Sequence, residues 1–127
     1  MPASPTPRVL VVDDYADATE VWALYLQSAG FAVSTAADGL EAIAQVKADP
    51  PDLVVMDLNL PGCSGIDVAR ALRAEPATAA LPLIAVTGSA DRQDLHEARR
   101  LFEVIAPKPC DPADLVAHIR RLLAGPQ

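Results

Sequence analysis

The chain has 127 residues, 51% of them hydrophobic and 21% charged, with a formal net charge of −7. That length suits one domain with its own core, and the acidic balance counts against a nucleic-acid backbone as a direct partner. No apolar run approaches the roughly 18 residues of a membrane span and no basic-then-apolar leader is present, so no membrane partner is expected and the expected location is cytoplasmic.

Residues 1–7, with Pro2, Pro5 and Pro7, read as a flexible Pro-rich tail, residues 8–124 as the folded domain and residues 125–127 as a second tail, with no output domain expected. Val9-Leu10-Val11-Val12 is the first predicted strand, and it ends in Asp13-Asp14. Asp17 is placed to cap the first helix, in which Val21, Leu24, Tyr25 and Ser28 recur at three- and four-residue spacing until Gly30. Trp22 lies next to that stripe and is expected to pack in the core, away from Asp57. Phe31 to Thr35 is a second strand. Asp38-Gly39-Leu40-Glu41 then has the pattern of a capping box opening a helix with Leu40, Ile43 and Val46 on one face, closed by Pro50-Pro51.

Leu53-Val54-Val55-Met56 is an unbroken apolar run, as in a parallel strand covered on both faces, and it delivers Asp57 before a Pro61-Gly62 turn. Ser64 with Asp67 starts a third helix that buries Ile66, Ala69 and Leu72 or its neighbour Val68. Pro76 and Pro82 frame a loop before Leu83-Ile84-Ala85-Val86, a fourth strand ending in Thr87-Gly88-Ser89. Asp91 is placed to cap a helix carrying Leu95, Ala98 and Leu101 or Phe102. Val104-Ile105-Ala106 is a short fifth strand running into Pro107-Lys108-Pro109, and Asp111-Pro112 opens a last helix with Leu115, Ile119, Leu122 and Leu123 inward. Cys63 and Cys110 have no CxxC or Cys/His spacing, which makes a free thiol the expectation for each and a zinc site not expected.

Five strands alternating with five helices predict an α/β fold with a doubly wound five-stranded parallel sheet of the flavodoxin-like (βα)5 kind, strand order 2-1-3-4-5. Strands one and three are then neighbours. Their carboxyl ends bring Asp13, Asp14 and Asp57 together, and strands four and five send Thr87 and Lys108 to the same edge.

Three carboxylates so close are costly to keep ionised without a cation, and Mg2+ suits oxygen ligands of this kind. Asp13 or Asp14 with Asp57, completed by a backbone carbonyl near Asn59, would suffice. One oxygen of Asp57 is then free to attack phosphorus and form an aspartyl phosphate. Lys108 supplies a compact positive charge for the phosphoryl oxygens, while the Thr87 hydroxyl and the Gly88 amide can donate to them. Each residue also has a plain structural use: Asp13 and Asp14 as caps, Thr87 as a turn, Lys108 as a surface lysine.

The stretches Val11-Val12-Asp13-Asp14, Asp38-Gly39-Leu40-Glu41-Ala42, Met56-Asp57-Leu58-Asn59-Leu60-Pro61-Gly62, Ala85-Val86-Thr87-Gly88 and Pro107-Lys108-Pro109, in this order, resemble the CheY-like receiver domains of two-component response regulators. The resemblance covers about Arg8 to Leu123. It implies that Asp57 accepts a phosphoryl group from a phosphohistidine of a histidine kinase or a histidine phosphotransfer protein. It implies that Asp13 and Asp14 bind Mg2+ together with the Asn59 backbone carbonyl, that Thr87 senses the phosphoryl group and that Lys108 pairs with it. It also implies a cis peptide between Lys108 and Pro109, and output through a downstream protein target or an output domain in trans, or relay of the phosphoryl group, with a homodimer through the helix 4–strand 5–helix 5 face as a further partner mode. The expected role is that of a signalling phosphoacceptor supporting its own phosphorylation and autodephosphorylation rather than that of an enzyme.

Two departures stand out. Ile105 occupies the place where the family often has an aromatic switch, and Arg99-Arg100-Leu101-Phe102-Glu103 replaces the usual small residue and glycine before strand five. An interaction scaffold acting without phosphorylation is therefore one alternative. A Mg-dependent phosphatase with an aspartate nucleophile is another, disfavoured by Asn59 where such enzymes carry a second acid. Dinucleotide binding fails on the first turn, where Asp13-Asp14-Tyr15 stands in place of glycines.

Overall fold

The computed structural model describes residues 6–88 and 92–124. Its elements alternate as β1 (Arg8–Val12), α1 (Ala16–Ser28), β2 (Ala32–Ala36), α2 (Gly39–Ala48), β3 (Leu53–Asp57), α3 (Gly65–Arg73), β4 (Leu83–Thr87), α4 (Arg92–Leu101), β5 (Val104–Pro107) and α5 (Pro112–Leu123). The strands form one parallel sheet in the order β2-β1-β3-β4-β5, as the sequence predicts. Val12 pairs with Met56, Asp57 with Val86 and Thr87 with Pro107. That register sets the ends of β1, β3, β4 and β5 along one edge.

Successive strand residues point to opposite faces, so each apolar run feeds two cores. Leu10, Val12, Val54, Met56, Leu83 and Ala85 pack with α2, α3 and α4, whereas Val9, Val11, Leu53, Val55, Ile84 and Val86 pack with α1 and α5. This two-sided burial explains why β3 and β4 show no alternation: all five residues of each are buried.

The helix starts follow their sequence signals in α2, α3 and α5. Asp38 accepts from the Glu41 amide at 2.8 Å, and the Glu41 carboxylate reaches one residue further back than a capping box requires, to the Ala37 amide. Ser64 and Asp67 cap each other reciprocally. Asp111 accepts from Ala113, with Pro112 in the first turn. Leu115 and Ile119 are buried with Val116, and Leu122 and Leu123 are partly buried against the same core.

Helix α1 differs from expectation. Its N-cap is Tyr15, without a side-chain cap, and Asp17 sits inside the first turn, where its charge still favours the helix dipole. The expected inward stripe faces solvent, with Val21 62%, Leu24 68% and Tyr25 39% exposed. Thr19 and Leu26 are the buried residues, with Trp22 packed beside them. Apolar residues lie on both sides of this helix, so spacing alone selects neither. In α2, Leu40 is exposed while Ala42 and Val46 are buried and Ile43 is partly so; Gly39 faces inward because α2 lies tight against Val68 and Cys63. Strand β2 begins at Ala32, one residue later than predicted, with Phe31 buried before it. In α3, Ile66, Val68, Ala69 and Leu72 are all buried. In α4, Ala98 is buried, followed by Phe102. The cap predicted at Asp91, and Ser89, lie outside the described residues. Both cysteines are free and half-buried, and no helix among the described residues is long and apolar enough to cross a membrane.

Candidate functional site

Asp13 follows β1 and Asp57 ends β3, and the pairing of those two strands makes them neighbours. Both are only 7% exposed, whereas Asp14 faces solvent. Ligand oxygens of Asp13, Asp14 and Asp57 lie within 4.8 Å of one another. The two buried carboxylates are held in the same way. One oxygen of each accepts an amide two residues on in the loop: Asp13 Oδ1 from Tyr15 and Asp57 Oδ1 from Asn59, each at 2.9 Å. The other oxygen of each faces one ammonium, with Lys108 Nζ 2.8 Å from Asp57 Oδ2 and 3.6 Å from Asp13 Oδ2.

These local bonds explain the aspartates' fixed orientation. An aspartate that bonds the second amide after it forms an Asx-turn, which both stops the strand and aims the remaining oxygen outward. Lys108 is placed by its own backbone, whose amide donates to the Thr87 carbonyl at 2.8 Å. Burial alone would lower its pKa, but the hydrogen bond and charge of Asp57, followed by Asp13, prevail and raise it above the ordinary lysine value. The Lys108-Pro109 peptide is cis, as the resemblance implies.

Thr87 ends β4 and is buried, and Gly88 is exposed beside it, where a Cβ would lie at ordinary contact distance from the Lys108 stem. Asn59 is exposed, and its amide is the group bonded to Asp57. All the predicted site residues therefore gather at the carboxyl edge of the sheet. An oxygen-only donor set of carboxylates suits a hard divalent cation of the Mg2+ type.

Two residues near the site were not expected there. Gly65 opens α3 directly beneath Asp57, its amide donating to the Leu58 carbonyl at 2.9 Å, and a Cβ at this position would lie 2.6 Å from the Asp57 carbonyl oxygen. Only glycine lets α3 start this close to β3. Trp22 shares a cavity of about 490 Å³ with Asp13, Ala18, Val86, Lys108 and Cys110. It packs in the core, as expected, yet it reaches the site's flank because α1 runs alongside the loop that carries Lys108. Nothing in local spacing reveals that neighbourhood.

With this geometry in place, comparisons with known proteins point in one direction. Residues 9–120 match the family described as "Response regulator receiver domain". The chain is 38% identical over 117 residues to the DNA-binding response regulator MtrA of Mycobacterium tuberculosis, a match covering 91% of the chain and 50% of that protein. Among solved structures it resembles a putative response regulator from Chloroflexus aurantiacus, with a TM-score of 0.87, 31% identity and coverage of 94% and 98% of the two chains. It is also similar to the chemotaxis response regulator CheY4 of Vibrio cholerae, with a TM-score of 0.85, 28% identity and coverage of 92% and 98%. The chain spans about half the length of the curated relatives it matches.

Proposed function

The chain belongs to the response regulator receiver family of two-component signalling, and from that premise we propose that Asp57 is its phosphoacceptor. The observation that carries this reading is the shared hold on Asp57 and Asp13: each has one oxygen fixed by its loop and the other directed at Lys108. An Asp57 oxygen attacks the phosphorus of a phosphohistidine, the phosphorus–nitrogen bond breaks, and the departing imidazole takes up a proton. Lys108 then moves its charge from the carboxylate to the new phosphoryl oxygens, and Thr87 and the Gly88 amide, at the end of the neighbouring strand, donate to the same group.

Asp13, Asp14 and Asp57, with the Asn59 backbone carbonyl, are the residues that would hold Mg2+. When bound, the ion supplies positive charge to offset that of the incoming phosphoryl group. The protein's own contribution is orientation. Asp57 is held before the donor arrives, so little ordering remains to be done at the moment of transfer.

The donor in this reading is a histidine kinase or a histidine phosphotransfer protein, and the output is a changed affinity for another protein, a linked output domain, or onward relay. A homodimer through the α4–β5–α5 face is one form that output can take. The chain is a signalling domain that supports its own phosphorylation and dephosphorylation.

The test is the intact mass after incubation with acetyl phosphate, with and without Mg2+, for this chain and for Asp57→Asn. The expected result is a Mg-dependent gain of one phosphoryl group by the unmodified chain alone. A folded chain that gains none under either condition is instead a scaffold that binds partners without phosphorylation.

A further inference from the structure

Helix α1 carries an apolar surplus on its outside. Of the five large apolar side chains exposed among the described residues, Val21, Leu24 and Tyr25 lie on this helix and Tyr15 is its N-cap. Single exposed hydrophobes are ordinary on a protein surface, whereas adjacent ones mark a contact. Asp17, Val21, Leu24 and Ser28 follow one another at helical spacing, which sets them in line along one side. All four are exposed, while Thr19 and Leu26 on the opposite side are buried.

The charges along this line are sorted. Asp17 stands in the first turn with Glu20 three residues on, and the helix has no basic residue of its own. The positive charge at its far end comes from α5. Arg120 Nη2 donates at 2.9 Å to the carbonyl of Ala29, the C-cap of α1, and the guanidinium lies 5.9 Å from the centre of the Phe31 ring. Arg120 is thereby fixed at the end of α1 where a cation suits the helix dipole, and it remains exposed. Along the helix axis the surface runs acid, apolar, base.

Such a surface is complementary to itself turned end for end. In a two-fold contact each patch meets the same patch on a second copy, so every residue pair occurs twice. With two α1 helices antiparallel, Val21 and Leu24 of the two copies cover one another, and Asp17 of each faces Arg120 of the other. A parallel arrangement would set Asp17 against Asp17, and a uniformly basic partner would leave Arg120 facing like charge. The net charge of −7 on each copy opposes association, but at physiological salt exposed charges more than about 8 Å apart are largely screened, so the pairs at the contact decide.

We propose that α1 is the contact face of a homodimer, in which Val21, Leu24 and Tyr25 pack against a second copy and Asp17–Arg120 pairs close both ends. This face is separate from α4–β5–α5, and the pairing needs no change of state at Asp57. One pair of 13-residue helices makes a contact at the low end of specific interfaces, so the dimer is weak. At low micromolar concentration the chains are monomers, and Leu24 is then an exposed residue. Ala18 and Trp22 of the same helix line the cavity beside Asp13 and Lys108, so association places a second chain alongside that flank of the acid site.

Sedimentation equilibrium of the full chain from about 10 µM to 1 mM, without Mg2+ or a phosphoryl donor, tests it. The parent is expected to pass from monomer to dimer over this range, and Leu24→Glu should raise the dissociation constant at least about tenfold. Asp17→Arg and Arg120→Glu should each weaken the dimer, because each sets like charges together at both ends. An equimolar mixture of those two variants should regain the parent's affinity, since the mixed pair has opposite charges at each end. A purely structural effect of either substitution would not be undone by mixing. A parent that stays monomeric to the highest concentration overturns the proposal, as does a dimer that Leu24→Glu leaves intact or a mixture that recovers nothing. Where Arg120→Glu fails to fold, Leu24→Glu and Asp17→Arg decide: weakening by both supports the face, and a dimer unchanged by either overturns it.

Discussion

Lys108 balances two buried carboxylates with one ammonium, which makes it the residue most exposed to a test by charge. Because its pKa in the folded chain is raised, the stability it contributes is fully present below the ordinary lysine pKa and is lost only as pH rises through the higher folded value. Across the neutral range its contribution is therefore flat. Lys108→Met leaves Asp13 and Asp57 facing each other without a counter-charge; discounted for solvent around a side chain 38% exposed, the expected loss is about 1 kcal/mol. Thermal melts with and without Mg2+ check this, and Mg2+ should recover more in the variant than in the parent. The cysteines shift in the same direction, with burial now the leading cause of the rise instead of opposing it. Burial first, then Asp67 and Asp38, raises the pKa of Cys63, and burial first, then Asp114 and Asp111, raises that of Cys110. Both thiols are therefore protonated at neutral pH, and each should alkylate with iodoacetamide more slowly than free cysteine. Alkylation as fast as the free amino acid at either position would contradict the burial seen here.

At the scale of elements, the close start of α3 and the facing of α1 each give a substitution with a definite sign. Gly65→Ala places a methyl 2.6 Å from the Asp57 carbonyl oxygen and 2.8 Å from Leu58 Cα. Backbone cannot yield as a side-chain tip can, so a loss of roughly 1–3 kcal/mol is expected, together with slower phosphorylation by acetyl phosphate. In α1, Leu26→Ala empties a fully buried position and should cost about 2–5 kcal/mol, while Leu24→Ala, two residues away, should stay within about 0.5 kcal/mol. Chemical denaturation of the pair decides between the observed face and the one read from spacing. The contrast shows what sequence can carry. Strands buried on both sides are continuous apolar runs, and β3 and β4 were legible for that reason. Asp13, Asp57, Thr87 and Lys108 were legible because each sits at a strand end and the topology follows from a few rules. Helix α1 was not, since Val21, Leu24 and Tyr25 recur with the same period as the buried Thr19 and Leu26 and the partly buried Trp22. The neighbourhood of Trp22 and the place of Arg120 at the end of α1 depend on contacts between distant segments, which no local pattern encodes.

For the whole molecule, folding gathers charge that the unfolded chain keeps apart. The parallel pairing of β1 with β3 brings Asp13, Asp14 and Asp57 to one place in a chain already at net charge −7. Only the folded state offers this cluster to a cation. A divalent ion that binds it must stabilise the fold by mass action, by about 1.4 kcal/mol at ten times its dissociation constant. In a chain of this size that is a rise of roughly 4–6 °C in melting temperature. Asp13→Asn should act in two opposed ways. It keeps an acceptor for the Tyr15 amide and removes one of the crowded charges, so the Mg-free protein should melt higher than its parent. It also removes one of the proposed ligands, so added Mg2+ should raise its melting temperature by less than half as much. Sodium chloride at matched ionic strength separates general screening from specific binding. If the salt reproduces the Mg2+ effect in the parent, or if Asp13→Asn responds to Mg2+ as fully as the parent, then the three carboxylates are a charged surface rather than a binding site, and the order of strands has assembled them without use.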